Sequence, residues 1–144
     1  MDSLYARTGF DISRTITRNY STSFFSAVNL LAKDIREAIF GIYGFVRLAD
    51  EIVDSFTDYD RQYLLNRFEQ DYAEAIQQGI STNPVINAFE LTVRKYRIDR
   101  HLIEAFLKSM RADLSHPGYS RKSDIEEYIY GCLLYTSPSP RDYA

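Results

Sequence analysis

Residues 34–56 read DIREAIFGIYGFVRLADEIVDSF, and this stretch decides the fold class. Its apolar residues recur every three or four positions, the spacing of one face of an α-helix. They are Ile35, Ile39, Ile42, Val46, Ala49, Val53 and Phe56. Asp34 can cap the start of this helix, with Glu37 three residues further on as in a capping box. Because residues 41–45 are almost wholly apolar, the pattern predicts a helix that is buried on most sides and ends near Ser55.

The rest of the chain also has helical spacing, and no stretch alternates with a period of two for long enough to predict a strand. Helices are predicted over about 12–19, 60–78, 83–96 and 101–114 and from 123 onward, with a break or bend at 20–23. Gly79 is well placed to end one helix, and Asn83 followed by Pro84 is typical of the start of another. The short connections predict an all-α protein, a compact antiparallel bundle.

The composition restricts the class of protein further. The chain has 144 residues, of which 45% are apolar and 26% charged, so it is one globular domain or a piece of a larger one. Its longest nearly unbroken apolar stretch, residues 38–46, is shorter than the roughly 20 residues of a transmembrane helix. Without a signal-peptide pattern, we expect a cytoplasmic protein. The net charge of −3 gives no broad basic surface for nucleic acid.

Two acidic residues on the central helix indicate chemistry. Asp50 and Asp54 are four apart, so their carboxylates share a helix face, and Arg47 and Tyr43 extend this stripe one turn at a time. The stripe borders the apolar face, where paired acids are costly unless a cation joins them. Mg²⁺ suits such a pair because it binds carboxylates, water and phosphate oxygens, which predicts a diphosphate ester as the ligand. A solvated helix face with chance spacing is the alternative.

Several longer motifs accompany this pair. They are Tyr20-Ser21-Thr22-Ser23-Phe24, then Arg36 and Tyr43, then Arg47 before Asp50-Glu51-Ile52-Val53-Asp54, then Phe106, Met110, Asp113 and Leu114, and finally Tyr128-Ile129-Tyr130-Gly131. Together they resemble the motifs of the phytoene and squalene synthase family, the head-to-head prenyltransferases. The resemblance covers residues 20–131 and implies an isoprenoid synthase-type helical bundle that binds two prenyl diphosphates in a central cavity.

The resemblance also implies roles for individual residues. Asp50 and Asp54 would bind Mg²⁺, or Mn²⁺ in its place, and Arg47 would contact the diphosphate. Ser21, Ser23 and Tyr43 would line the same region, and Tyr128 would face the reaction centre. The family reaction proceeds through a cyclopropylcarbinyl diphosphate. Phytoene from two geranylgeranyl diphosphates, a step of carotenoid biosynthesis, is the first choice over a squalene-type product. The alternative function is a non-catalytic helical assembly or interaction protein of the same fold.

The end of the chain departs from this pattern. Residues 132–144 include Pro138 and Pro140, which no helix can pass, and the segment resembles a translated sequencing-library adapter. We therefore expect residues 1–131 to be the N-terminal half of a synthase domain and residues 132–144 to be a non-native tail, with a native Ser/Pro-rich tail as the alternative. The family's second aspartate-rich motif is absent from these 144 residues, so we expect no turnover by this chain alone.

One cationic cluster remains, formed by Arg94, Lys95, Arg97 and Arg100 near a predicted helix end. A solvated face is the preferred interpretation, because cations are favourable at a helix C-terminus. A peripheral contact with anionic membrane lipid is the second. The sequence makes no prediction of oligomeric state.

Overall fold

The computed structural model describes residues 3–115 and 127–129, and every regular element within them is helical. The helices are α1 (Leu4–Tyr20), α2 (Thr22–Val28), α3 (Lys33–Asp54), α4 (Arg61–Gln78), α5 (Pro84–Tyr96) and α6 (Arg100–Asp113). Residues 127–129 are helical as well. The all-α prediction is therefore confirmed. The predicted helix start at residue 123 and the tail from 132 to 144 lie outside the described residues.

Helix α1 begins eight residues earlier than the apolar spacing predicts. Ser3 caps it, with its Oγ accepting a hydrogen bond from the Ala6 N–H at 3.1 Å. The buried face of α1 consists of small and polar residues, namely Ala6, Gly9, Ser13 and Thr17. A search for apolar periodicity misses this face because its close packing depends on small size and not on hydrophobicity.

Helix α3 is the predicted central helix, with a different start. The residue before its first turn is Ala32, which supplies no side-chain cap, so the prediction that Asp34 caps the helix is wrong. Asp34 instead lies inside the first turn, where a negative charge is still favourable beside the free N–H groups. The helix ends at Asp54 with Ser55 as its C-cap, which confirms the predicted end. Ile35 is 45% exposed, because the buried part of α3 begins only at Ala38.

The remaining helix starts follow their sequence signals. Asp60, Asn83 and Asp99 cap α4, α5 and α6 by accepting hydrogen bonds from backbone N–H groups of the first turns. Gly79 ends α4 in the left-handed conformation, at a φ of 77°, which glycine adopts without steric cost. These caps define the ends of the short connections between the helices.

The core forms around α3, which packs against α1, α4, α5 and α6. Phe45, fully buried, joins four elements through its ring. Its centroid lies 3.8 Å from that of Phe89, 4.8 Å from Phe68, 5.3 Å from Tyr72 and 6.4 Å from Phe106. Within the described residues, no helix combines the length and the apolar character needed to cross a bilayer.

An ion pair around the buried Glu90 connects α4, α5 and α6. Glu90 is 2% exposed and accepts two hydrogen bonds from the Arg100 guanidinium, at 3.0 and 2.9 Å. The same guanidinium donates to the Tyr72 hydroxyl at 3.0 Å, and Arg94 lies 3.7 Å from Glu90. Burial and the neighbouring Glu90 raise the pKa of Tyr72, and the hydrogen bonds to Glu90 raise the pKa of Arg100. Arg100 and Arg94 thus bind a buried acid and do not belong to a purely solvated face.

Candidate functional site

Arg47 is the centre of a charged group on α3, one turn before the acidic residues. Its Nη1 lies 3.1 Å from Oδ2 of Asp50, and its Nη2 lies 3.7 Å from Oε1 of Glu51. The guanidinium carbon sits 4.4 Å from the ring centroid of Tyr20, at the end of α1. The Arg47 side chain is 14% exposed, and its Nε is buried without a hydrogen-bond partner among the described residues. It is therefore a largely buried cation that Asp50, Glu51 and the Tyr20 ring hold in place.

The two predicted acids differ in their surroundings. Asp50 is 1% exposed and is ion-paired with Arg47, whereas Asp54 is exposed at the last position of α3. Arg61 donates a hydrogen bond to the Val53 carbonyl at 2.7 Å and so holds the end of this helix. The pair therefore reaches from the core to the surface along one helix face.

Aromatic rings cover the neighbouring turn of α3. Tyr43 is 1% exposed, and its ring stacks on Phe24 of α2 with the centroids 5.6 Å apart and an angle of 26° between the planes. Tyr43 lies one turn before Arg47, so the stacked rings and the charged group are adjacent along the helix. The arrangement is an apolar aromatic wall next to a charged cluster.

The predicted serines lie at the junction of α1 and α2. Ser21 is 2% exposed and caps α2, with its Oγ accepting from the Phe24 N–H at 3.4 Å. Its hydroxyl proton remains available for donation, since a serine hydroxyl is both donor and acceptor. Ser23 lies in the first turn of α2 and is exposed. Ser21 therefore has a structural role as well as the predicted binding role.

Tyr128 lies on the other segment that the structure describes. It is half-buried, and its ring centroid is 4.8 Å from that of Phe106 on α6. Phe106 in turn faces Phe45, so the aromatic core links Tyr128 to α3. The structure thus brings Tyr43, Arg47 and Asp50 together, with Ser21 and Ser23 on the adjoining helix, and it connects Tyr128 through packed rings.

Three contacts of this site are not anticipated by the sequence analysis. Glu51 pairs with Arg47 at a spacing of four, a pattern that the sequence offers to a search for helical ion pairs. The stacking of Phe24 on Tyr43 and the position of Tyr20 over Arg47 join residues on either side of a helix break. No local spacing predicts such contacts, because they depend on how α1 and α2 meet α3.

The donor set fits a hard divalent cation in part. Asp50 and Asp54 offer oxygen ligands, and Mg²⁺ is commonly held by one or two carboxylates together with phosphate oxygens and water. Among residues 3–115 and 127–129, no group of three or more Asp, Glu, His or Cys side chains could hold a metal ion. The residues present therefore fit a cation that is shared with a phosphate-bearing ligand better than a cation held by protein alone.

The similarity of this chain to known proteins covers the residues of this site. The family model described as squalene/phytoene synthase matches residues 17–133, which include α3 and the charged group around Arg47. The chain belongs to the squalene/phytoene synthase family. Phytoene synthases of Arthrospira platensis and Rhodobacter capsulatus are 27% and 28% identical to it, over 84% and 87% of its length. A presqualene diphosphate synthase of Rhodopseudomonas palustris is 30% identical over 65% of the chain.

The fold comparison agrees with the family. The squalene synthase HpnC from Alicyclobacillus acidocaldarius superposes with a TM-score of 0.70 at 24% identity. The match covers 92% of this chain and 55% of that one, so the isoprenoid synthase-type helical fold is confirmed. The chain spans 39%, 37% and 33% of the lengths of the three relatives above.

Proposed function

We propose that this chain contributes the first diphosphate-binding half of a prenyltransferase that joins two prenyl diphosphates head to head. The observation that carries the proposal is the buried Arg47–Asp50 pair, with Asp54 exposed one turn later, inside the region that matches the family. Two geranylgeranyl diphosphates are the proposed substrates and phytoene the product, by way of a cyclopropylcarbinyl diphosphate. The family membership and the phytoene synthase relatives support this choice.

Asp50 and Asp54 would hold Mg²⁺, with Mn²⁺ as an alternative ion. When bound, the ion supplies Lewis-acid neutralisation of the leaving diphosphate. Arg47 adds a fixed positive charge beside it, and a guanidinium forms strong charge-assisted hydrogen bonds with phosphate oxygens. Tyr20 and Glu51 hold the guanidinium in place, so little side-chain entropy is lost when the ligand binds.

The aromatic wall serves the allylic part of the substrate. An allylic cation is attracted to the face of an aromatic ring and must be kept from water. Tyr43 and Phe24 stack next to Arg47 and could line the start of the prenyl chain, with Ser21 and Ser23 donating to the diphosphate. Tyr128, on the far side of Phe106, would face the reaction centre.

The test is the affinity of a non-hydrolysable geranylgeranyl diphosphate analogue for the chain, measured by titration calorimetry with and without Mg²⁺. We expect Mg²⁺-dependent binding, and an affinity at least about tenfold lower in Asp54→Asn, which removes an exposed ligand without disturbing the Arg47–Asp50 pair. Glu104→Gln is the control, because it removes a carboxylate that is 74% exposed on α6. Binding that ignores Mg²⁺, or an equal loss in both variants, would contradict the proposal.

The same measurement separates the enzyme from a non-catalytic assembly protein of the same fold. An assembly protein has no need of Mg²⁺-dependent affinity for a prenyl diphosphate. We also propose that residues 1–144 alone do not turn over substrate, because they hold one aspartate-rich motif, Asp50 to Asp54, where the reaction needs facing carboxylates. Phytoene formed from geranylgeranyl diphosphate and Mg²⁺ by the purified chain would refute this part.

A further inference from the structure

The C-terminal end of α3 carries acidic charge where a helix disfavours it. Asp50, Glu51 and Asp54 all lie there, and the last turn contains no basic residue. Carboxylates are destabilising at this end, because the free carbonyls give it a partial negative charge. Arg47 pairs with Asp50 and Glu51, whereas the exposed Asp54 makes no ion pair within residues 3–115 and 127–129. The turn that carries Asp54 therefore needs support from outside α3.

Arg61, the first residue of α4, supplies this support. The last carbonyls of a helix have no partner within it, and that of Val53 accepts its hydrogen bond from Nη1 of Arg61 at 2.7 Å. This carbonyl belongs to the peptide unit that joins Val53 to Asp54, so the contact holds the backbone at Asp54 directly. The guanidinium also brings positive charge to the negative end of the helix.

The connection between the two helices fixes Arg61 in turn. The Tyr59 N–H donates to the Phe56 carbonyl at 3.0 Å, which closes a turn within the connection. Asp60 caps α4 by accepting from the Tyr63 N–H at 3.0 Å. Arg61 follows this cap and is half-buried. It is therefore an anchor on a second helix, unlike a surface arginine that moves freely in solvent.

We propose that Arg61 is a positioning residue for the cation that Asp50 and Asp54 share, an inference that rests on the proposed function. Its hydrogen bond favours the helical form of the last turn, in which the two carboxylates remain on one face. A frayed turn would have to reorder before both acids could bind one ion. The apparent affinity for the ion falls in proportion to the fraction of chains that are ordered.

The first measurement is calorimetric titration of the geranylgeranyl diphosphate analogue into the chain at increasing Mg²⁺ concentrations. In Arg61→Met, we expect the Mg²⁺ concentration for half-maximal binding to rise about fivefold, the factor of one hydrogen bond of ordinary net strength. Saturating Mg²⁺ should restore the affinity of the unaltered chain. Arg61→Lys keeps a charge and a donor and should recover most of the shift. A generally destabilised fold would instead lower the fraction of binding chains at every Mg²⁺ concentration.

The second measurement needs no metal. Amide hydrogen exchange reports local opening of the last turn, where the Ser55 N–H donates to the Glu51 carbonyl at 2.9 Å. Without Mg²⁺, the Ser55 amide should exchange about fivefold faster in Arg61→Met than in the unaltered chain, because the same hydrogen bond is lost. Amides in the middle of α5 should exchange at equal rates in both.

Arg67→Met is the matched control. It removes an arginine from the same helix, one that is 54% exposed and lies 3.6 Å from Asp71. Both measurements should match the unaltered chain. The proposal is overturned if either measurement is unchanged in Arg61→Met, or if the control changes as much. It is also overturned if Arg61→Met binds Mg²⁺ more tightly, because the guanidinium then acts only as a competing charge.

The two levels of inference fail differently. If the unaltered chain shows no Mg²⁺-dependent binding of the analogue, the proposed function fails and the role of Arg61 fails with it. If the unaltered chain binds with Mg²⁺ and Arg61→Met has the same Mg²⁺ dependence, the positioning role alone is refuted.

Discussion

At Gly44 the backbone of α3 packs closely against Ser13 of α1, and replacing Gly44 with alanine tests how tightly these helices are fitted. A Cβ at this position would lie 2.5 Å from the Ser13 Oγ, 2.8 Å from its Cβ and 3.2 Å from its Cα. Carbon atoms in ordinary contact are about 3.5–4.0 Å apart, so α1 would have to move away by roughly 1 Å. Rotation of the Ser13 hydroxyl moves only the Oγ. It cannot relieve the contact, because the other two atoms are the Cβ and Cα of Ser13, which this rotation leaves in place.

The magnitude follows from two opposing effects. Alanine is favoured over glycine inside a helix by about 1 kcal/mol, whereas overfilling a packed interface costs about 1–3 kcal/mol. Since Ser13 is fully buried and cannot swing into solvent, we take the upper value and expect a net loss of about 2 kcal/mol in the free energy of unfolding. For a chain of this size the loss lowers the Tm by about 6 °C.

Urea unfolding followed by helical circular dichroism measures this loss. The matched variant is the double substitution Ser13→Gly and Gly44→Ala, which removes the clashing Cβ. It should recover most of the lost stability, although the glycine introduced into α1 has a poorer helix propensity than the serine it replaces. If Gly44→Ala alone is as stable as the unaltered chain, or if Ser13→Gly fails to rescue it, the close approach of α1 and α3 is not the determinant and the reasoning is refuted.

Three other predictions concern buried polar groups. Because burial raises the pKa of Tyr72 above that of the unfolded chain, the unfolded state loses this proton first, and stability should fall above about pH 10 at up to about 1.4 kcal/mol per pH unit. Urea titrations at successive alkaline pH should show a shallower fall in Tyr72→Phe and an unchanged one in Tyr63→Phe, at an exposed position. Arg100→Met leaves the Glu90 carboxylate buried without its main partner. It should lower the free energy of unfolding in urea by about 2 kcal/mol, a value discounted because Arg100 is 41% exposed. Adding Glu90→Gln removes the unpaired charge and should restore part of that stability. Arg47→Lys loses the two-pronged contact of the guanidinium with Asp50 and Glu51. Calorimetry should then show about tenfold weaker binding of the diphosphate analogue, with the fold intact. An unchanged affinity would argue against the proposed role of the guanidinium.

The sequence predicts well those elements that local chemistry defines. Asn83 with Pro84 marks the start of α5, and Gly79 marks the end of α4, because cap geometry depends on one or two residues. The start of α1 is not predictable in this way, since its buried face is built from residues as small as Gly9. This face is recognised as buried only once α1 is packed against α3 and α5.

The contacts of the candidate site also fall into two groups, those that the sequence predicts and those that it does not. The contact of Arg47 with Asp50 follows from their spacing of three on one helix, so sequence alone anticipates it. The ring of Tyr20 over Arg47 does not follow from any spacing, because the two residues belong to different helices. A pattern confined to one helix thus predicts the charges of the site, whereas the aromatic residues that hold them require the tertiary structure.

The connection between α1 and α2 is a single residue, Ser21, which is both the C-cap of α1 and the N-cap of α2. One residue inserted or deleted here would turn α2 by about 100° relative to α1 and carry Phe24 away from Tyr43. The connection from Ser55 to Asp60 has room to absorb such a change. As related sequences diverge, we therefore expect insertions and deletions to be tolerated between α3 and α4 and to be selected against at Ser21.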